Sequence, residues 1–441
     1  MVKSLLYRGK FQSQLEEDGL VKAIQRMEGE IAEATSPAKP ILQSIQAELL
    51  ARYLRNNQWK LRDRTEVRDF DLSDIQTWSI PQLIEQSRVL YVASIADEAT
   101  KKVAITDFEI VTKEGANATA LRPTLFDLLA HRAVDHFRND RNNLTEPAYK
   151  FYINQAAAFA PAKEFCTTTF EAKDKTSAKY QTLVVLQDLL STHLQSNNTQ
   201  ALVDADLKRL KFVYDNAVIG NKEALYINAL GELAETHKND EVYTEIVYQL
   251  ASIYQSKGQQ YRPNPDQKGK LAYSKAYHLC EAAIAKYPNS YGAKQCQNII
   301  ANITKKHLDL KTEQVNIPNE PILAAISFKN IEKAYIKVVQ LGYEEQQSLN
   351  RERGDKLLKK LNAKEVISTQ TITLPQAGDY HAHMAELDLG ALPSGTYAVM
   401  VSDSEAYTDK GHAVGHAFFH VSNIAFWSCL LYTSPSPRDR G

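Results

Sequence analysis

The feature that most constrains this chain is a change of hydrophobic period near residue 310. Upstream, apolar residues recur at spacings of three and four. Downstream, they alternate with polar residues in short runs separated by Gly, Pro, Asn and Asp. A spacing of three and four lines up one stripe of a helix, whereas alternation lines up one face of a strand. The sequence therefore predicts a mainly α region over residues 1–309, built of helical hairpins in an α-solenoid arrangement, followed by an all-β region.

In LRPTLFDLLAHRAVDHF, Leu125, Leu128, Leu129, Ala133 and Phe137 form one stripe. Pro123 stands near the helix start, where its missing N–H costs nothing. Segments such as SAKYQTLVVLQDLLSTHL, NKEALYINALGELAETH and YGAKQCQNIIANITKKH repeat the pattern, and the linkers SPAKP and YRPNPDQKGK have turn composition. Over 241–298, Leu250, Ala251 and Tyr254 on one helix are followed by Ala282, Ala283, Tyr287 and a terminating Pro288. Small residues at a helix crossing, with aromatics filling the gaps, resemble a tetratricopeptide unit, although no strict period recurs upstream. Burial of a shared core accounts for this pattern; a concave peptide-binding groove is the functional alternative.

Six segments, ILAAISFKN, KAYIKVVQLG, EVISTQTITLP, DYHAHMAELDL, GTYAVMVSDS and GHAFFHVSN, read as strands of a β-sandwich of immunoglobulin-like type over 310–426. The charged insertion YEEQQSLNRERGDKLLKKLNA reads as a helix or mobile loop between strands.

Lys plus Arg (52) nearly cancels Asp plus Glu (53), which gives no net-charge reason to expect nucleic acid or an anionic membrane as partner. No run of 18 or more apolar residues is present. The motifs GxSxG, HExxH, GxxxxGK[ST] and GxGxxG are missing, so no catalytic, cofactor-binding or metal residue is assigned and the chain is read as a non-enzyme without cofactor. His381 and His383, and His412, His416 and His420, have even spacing that a regular strand would place on one face. A polar sheet face with solvated imidazoles explains them better than a metal site. The tripeptide Arg353-Gly354-Asp355 carries no weight at that length.

The four cysteines, Cys166, Cys280, Cys296 and Cys429, match no CxxC or zinc spacing. Cys166 reads as core. Cys280 lies eight residues before Pro288 and Cys296 eight after it. If the chain turns over Pro288–Gly292, the two thiols come level, and two readings stand: a disulfide, or two buried apolar cysteines.

KAYIKVVQL, then LPQAGDYHAHMAELDLGALPSGTYAVMVSDS, then VGHAFFHVSNIAF, resemble in that order the first macroglobulin-type domain of bacterial α2-macroglobulin family proteins. WKLRDRT, LRPTLFDLLAHRA, PAYKFYINQAAAFAPAKEF and YPNSYGAKQCQ look like the amino-terminal extension of long Bacteroidetes-type members. The resemblance covers residues 1 to about 426. It implies a protease inhibitor or trap of the periplasm or cell envelope, with proteases engaged through regions downstream and a signal peptide upstream of Met1. Here the helical region and first sandwich would supply scaffold and contact surface. No CxEQ-like thioester pattern follows Cys166, Cys280 or Cys296. The rival reading is a helical-repeat adaptor whose sandwich binds envelope proteins or glycans. Finally, CLLYTSPSPRD is similar to one reading frame of a transposon-end sequencing adapter, so 427–441 is expected to be a non-native tail that makes the chain a fragment.

Overall fold

The computed structural model describes residues 18–62, 74–108, 118–139, 149–263 and 267–424, with scattered positions before 18. The tail 427–441, with Cys429, lies outside the described residues. Among the described residues, the helices lie before Lys305 apart from two in an insertion between strands, and the strands begin at His307. The fold is a helical region followed by an antiparallel and mixed β-sandwich, as the change of period predicts. Two compact units result, Met1–Ile246 and Val247–Gly441.

The first unit contains α1 (Gly19–Glu33), α2 (Ala38–Leu61), α3 (Ile80–Ile95), the single turn α4 (Ala118–Leu121), α5 (Leu125–Phe137), α6 (Ala162–Thr167), α7 (Ala178–Ser196), α8 (Thr199–Asn216) and α9 (Lys222–Thr236). The starts of α3, α5 and α8 are set by side chains that satisfy otherwise unpaired amides. Ser79 and Gln82 form a capping box on α3, and Thr124 and Asp127 form one on α5. Pro123 precedes that cap, and its carbonyl accepts from the Ile105 amide. The α5 stripe is wider than its leucines suggest. Phe126, Asp127, Ala130, His131 and Val134 are buried as well, so α5 is enclosed on most sides.

The helix α10 (Tyr243–Gln260) spans the boundary between the units, and the second unit continues with α11 (Ala272–Lys286) and α12 (Tyr291–Thr304). Gly258 explains how α10 meets α11. A Cβ there would lie 2.6 Å from the Tyr273 ring, closer than side chains tolerate.

The sandwich pairs β1 (His307–Thr312), β3 (Pro321–Lys329) and β6 (His383–Ala391) in one sheet, in the order β1-β3-β6. The other sheet has the order β2-β8-β7-β4-β5, formed by β2 (Val315–Asn316), β4 (Lys333–Leu341), β5 (Val366–Thr373), β7 (Gly395–Ser402) and β8 (Val414–Val421). Neighbours are antiparallel except β2 beside β8. Between the sheets lie Ile326, Phe328, Ile336, Val338, Val399, Val401 and Phe419. All six strand segments read from the sequence are strands here.

The charged insertion forms two helices, α13 (Tyr343–Leu349) and α14 (Gly354–Asn362). Leu349, Leu357, Leu358 and Leu361 cover the outer face of the five-stranded sheet against Val339, Ala398, Met400 and Tyr407. That cover explains why β7 is buried along nearly its whole length and why VVQL and YAVMV do not alternate.

Candidate functional site

Two clusters bring several groups with displaced pKa values into contact, one in each unit. In the helical unit, α5 presents Asp127 and His131 one turn apart, facing His193 of α7 and Asp204 and Lys208 of α8. His193 Nε2 lies 2.8 Å from Asp127 Oδ1, with both side chains buried. The other Asp127 oxygen is held 2.8 Å from the Thr124 amide and hydroxyl, so this carboxylate closes the helix cap as well as the pair.

His131 Nδ1 is 3.0 Å from Lys208 Nζ, which bonds in turn to Asp135 at 2.9 Å. An ammonium only donates, so Nδ1 accepts and the proton of neutral His131 sits on Nε2, aimed at Asp204 Oδ2 3.7 Å away. Burial, then the charges of Lys208 and Arg122, push the His131 pKa down to about 2. Burial raises Asp204, and burial followed by the Asp204 charge raises Glu245. Burial also lowers Lys208. Asp127 Oδ1, His193 Nε2, His131 Nε2 and Asp204 Oδ2 are buried without an aligned hydrogen bond.

Groups so displaced from their ordinary range mark functional-site candidates, but structural ion networks share the signature. Here the groups are engaged with one another across three helices. The arrangement ties α5, α7 and α8 together through buried polar contacts. A second buried pair continues it: Arg209 Nε donates to Asp206 at 2.7 Å and Nη1 donates to the Ala158 carbonyl at 2.7 Å. The guanidinium stacks on Phe165, 4.6 Å from the ring centre. None of these residues was singled out from the sequence. The available signal was an Asp and a His four apart inside an apolar stripe.

In the second unit, the cluster joins the helices to the sandwich. The His381 ring lies between Tyr261 and Tyr273, at 4.7 and 4.8 Å between ring centres. Its Nε2 donates to the Lys270 carbonyl at 3.0 Å, and burial lowers its pKa. Tyr277 stacks on Tyr380, Lys329 covers Tyr273, and Asn330 donates to the Ile303 carbonyl at 2.8 Å. This is an aromatic clasp between α10–α12 and the sandwich.

The histidines are not brought together. His381 precedes β6, while His383 begins it and bonds to Asp379 at 2.9 Å. Burial opposes ionisation of Asp379, but hydrogen bonds from the His381 amide and from His383 outweigh it and hold this carboxyl below its usual range. His412 lies before β8, beside Asp403. His416 and His420 share a face of β8, and His420 meets Thr396 at 3.2 Å. Among the described residues, no group of three His, Cys, Asp or Glu side chains is placed to hold a metal ion.

Arg353 donates to the carbonyls of Asn350 and Glu352, while Asp355 faces Lys359 and Lys410, so the tripeptide's charged side chains are engaged locally. Cys166 is half-buried with its sulfur 3.5 Å from the Gln187 carbonyl, and burial pushes its thiol up to about 11. Cys280 and Cys296 are fully buried free thiols facing each other between α11 and α12.

No family model matches the chain, and no curated relative matches it either. Among solved structures, the CARDB domain of a Pyrococcus furiosus protein, determined in complex with di-metal ions, is similar at 12% identity. The match covers 27% of this chain and 88% of that one, with a TM-score of 0.17, too low to bear on function.

Proposed function

We propose that this chain is the amino-terminal part of an α2-macroglobulin-like protease inhibitor of the bacterial cell envelope. In this reading the chain is non-enzymatic: its helices and sandwich act as scaffold and contact surface, and proteases are engaged through regions beyond it. The observation that carries the reading is the LPSGTYAVMV turn and strand, the segment most like a macroglobulin-type domain. Tyr397 folds back so that its hydroxyl donates to the Pro393 carbonyl at 2.9 Å, four residues upstream. A tyrosine returning to the backbone at a strand corner is a recurrent device of immunoglobulin-like sandwiches. The strand it starts is the centre of the five-stranded sheet, paired with β8 and β4.

The test is to express the uninterrupted reading frame that contains this chain and mix it with an endoprotease. The expected result is one early cleavage outside residues 19–421, followed by protease that still hydrolyses small substrates but no longer digests proteins. Digestion of large substrates at an unchanged rate would overturn the reading. A reading frame ending shortly after the sandwich would favour the adaptor instead.

A further inference from the structure

The α11–α12 hairpin turns over Tyr287–Ser290, where Pro288 follows the end of α11 and the Ser290 hydroxyl caps α12 by accepting from the Ala293 amide at 3.1 Å. Cys280 and Cys296 lie eight residues to either side of Pro288, level with each other on antiparallel helices. Both have 0% exposure, and both are free thiols buried on the two helices of this hairpin. Ala276 and Ala283 beside Cys280, with Ala293 and Ile299 beside Cys296, complete a buried apolar seam. Small neighbours let the two helices approach closely, as a bridge between their side chains requires.

We propose that Cys280 and Cys296 are a dithiol that closes to a cystine and staples this hairpin, and that the staple is set before the hairpin packs. The oxidant is a disulfide donor, either glutathione disulfide or a protein disulfide. One cysteine thiolate attacks a donor sulfur, forming a mixed disulfide and releasing one donor thiolate. The second cysteine thiolate then attacks the mixed disulfide at the protein sulfur, forming the internal bond and releasing the other donor thiolate. Two protein thiols lose two electrons and two protons, and one donor disulfide becomes two thiols. Neither sulfur is reachable in the packed hairpin, so the first attack requires the helices to be apart. The proposal does not rest on the protease-trap reading.

The test uses the full chain, purified reduced and incubated with glutathione disulfide, once in buffer and once in urea sufficient to open the second unit. After quenching with an alkylating agent, unreduced peptides are mapped. The expected result is a linked Cys280–Cys296 peptide that accumulates at least tenfold faster in urea, while Cys166 is not joined to either partner. In the oxidised product returned to buffer, amide exchange across 281–295 should slow by on the order of a hundredfold, as closing a loop of this size implies. Cys280→Ala should abolish the linked peptide. Failure to form the link in urea as well as in buffer, or pairing of either cysteine mainly with Cys166, would overturn the proposal. Equal rates in the two arms would overturn its claim about timing.

Discussion

The helical unit and the sandwich bury their interiors by different chemistry. Between the sheets the core is built from apolar side chains, from Leu308 to Val421, and the polar atoms buried beside them include the neutral hydroxyls of Thr312 and Ser368. The helical unit instead encloses Asp127, His131, His193, Asp206 and Arg209, all nearly inaccessible to water. Alternation explains part of this contrast, because each strand residue faces either core or exterior and its polar half has somewhere to go. A helix packed on several sides has no such outlet, and its polar residues must find partners inside. The sandwich should therefore respond to changes of volume, and the helical unit to changes of charge.

The sharpest way to break that contrast is to unpair a charge. Asp206→Ala leaves Arg209 inside the helical unit with only the Ala158 carbonyl and the Phe165 face. A loss of about 3–5 kcal/mol is expected, read as a fall in the urea midpoint of the helical signal. Replacing both partners, with Asp206→Leu and Arg209→Met, should recover most of that loss, because neither charge is then desolvated. In the sandwich, Phe419→Ala removes a fully buried ring and should cost about 3–5 kcal/mol with no such rescue. A charge pair whose double replacement is as damaging as the single one would mean that the helical unit depends on volume too.

Acidification separates the units by a smaller amount. His136, its ring tilted against Tyr91 at 4.5 Å between ring centres, has its pKa lowered to about 4 by burial, and His131 is lowered further. An imidazole whose folded pKa is depressed gives stability that is complete above its unfolded value, near 6.5, and is lost as pH falls toward its folded value. Each of these two histidines should thus remove about 3 kcal/mol from the helical unit between pH 6.5 and 4. Asp204 and Glu245, whose folded pKa values are raised, act in the opposite sense: relative to neutral pH, they add stability as pH falls through their folded values. Asp204→Asn should steepen the acid loss. Circular dichroism at the helical minimum during pH titration would check both; a profile unchanged by His136→Phe would remove His136 as a cause.

These contrasts also show what the sequence disclosed. Alternation survives wherever one face of a strand is covered and the other is free, so β3, β5 and β6 were legible by period, while β4 and β7, covered on both faces, were legible from their β-branched and aromatic residues between Gly, Pro, Asn and Asp. The first strand was not. HLDLKT follows NITKK, whose helical spacing runs into His307, and the turn between them depends on Asn330 reaching back to the carbonyls of Ile303 and Lys305. No local pattern could carry that. The insertion left a choice of helix or loop because its leucines, three and four apart, point at a sheet face that exists only after β4, β7 and β8 pair. The candidate site was the least legible part. Asp127 and His131 look like ordinary polar interruptions of an apolar stripe, and their partners arrive from 66 and 77 residues downstream, as His193 minus Asp127 and Lys208 minus His131 give. The level placement of Cys280 and Cys296 was readable because a single proline fixed the centre of their hairpin.

The smallest effects probe the corner where the chain enters β7 and Tyr397 turns back on it. Gly395 has no φ requirement for glycine, yet a Cβ there would lie 3.1 Å from the Tyr397 hydroxyl and 3.2 Å from its ring. The ring folds back over the backbone to reach Pro393, and glycine is what leaves room for it. Tyr397→Phe keeps the ring and removes one hydrogen bond, so it should cost about 1 kcal/mol. Gly395→Ala should cost about 1–3 kcal/mol by pushing the ring away, breaking that same bond on the way. The two losses then overlap, and the double variant should be less destabilised than their sum by about the worth of the bond. Strict additivity in urea unfolding of the sandwich would show that the glycine serves some other need than the return of Tyr397 to the turn.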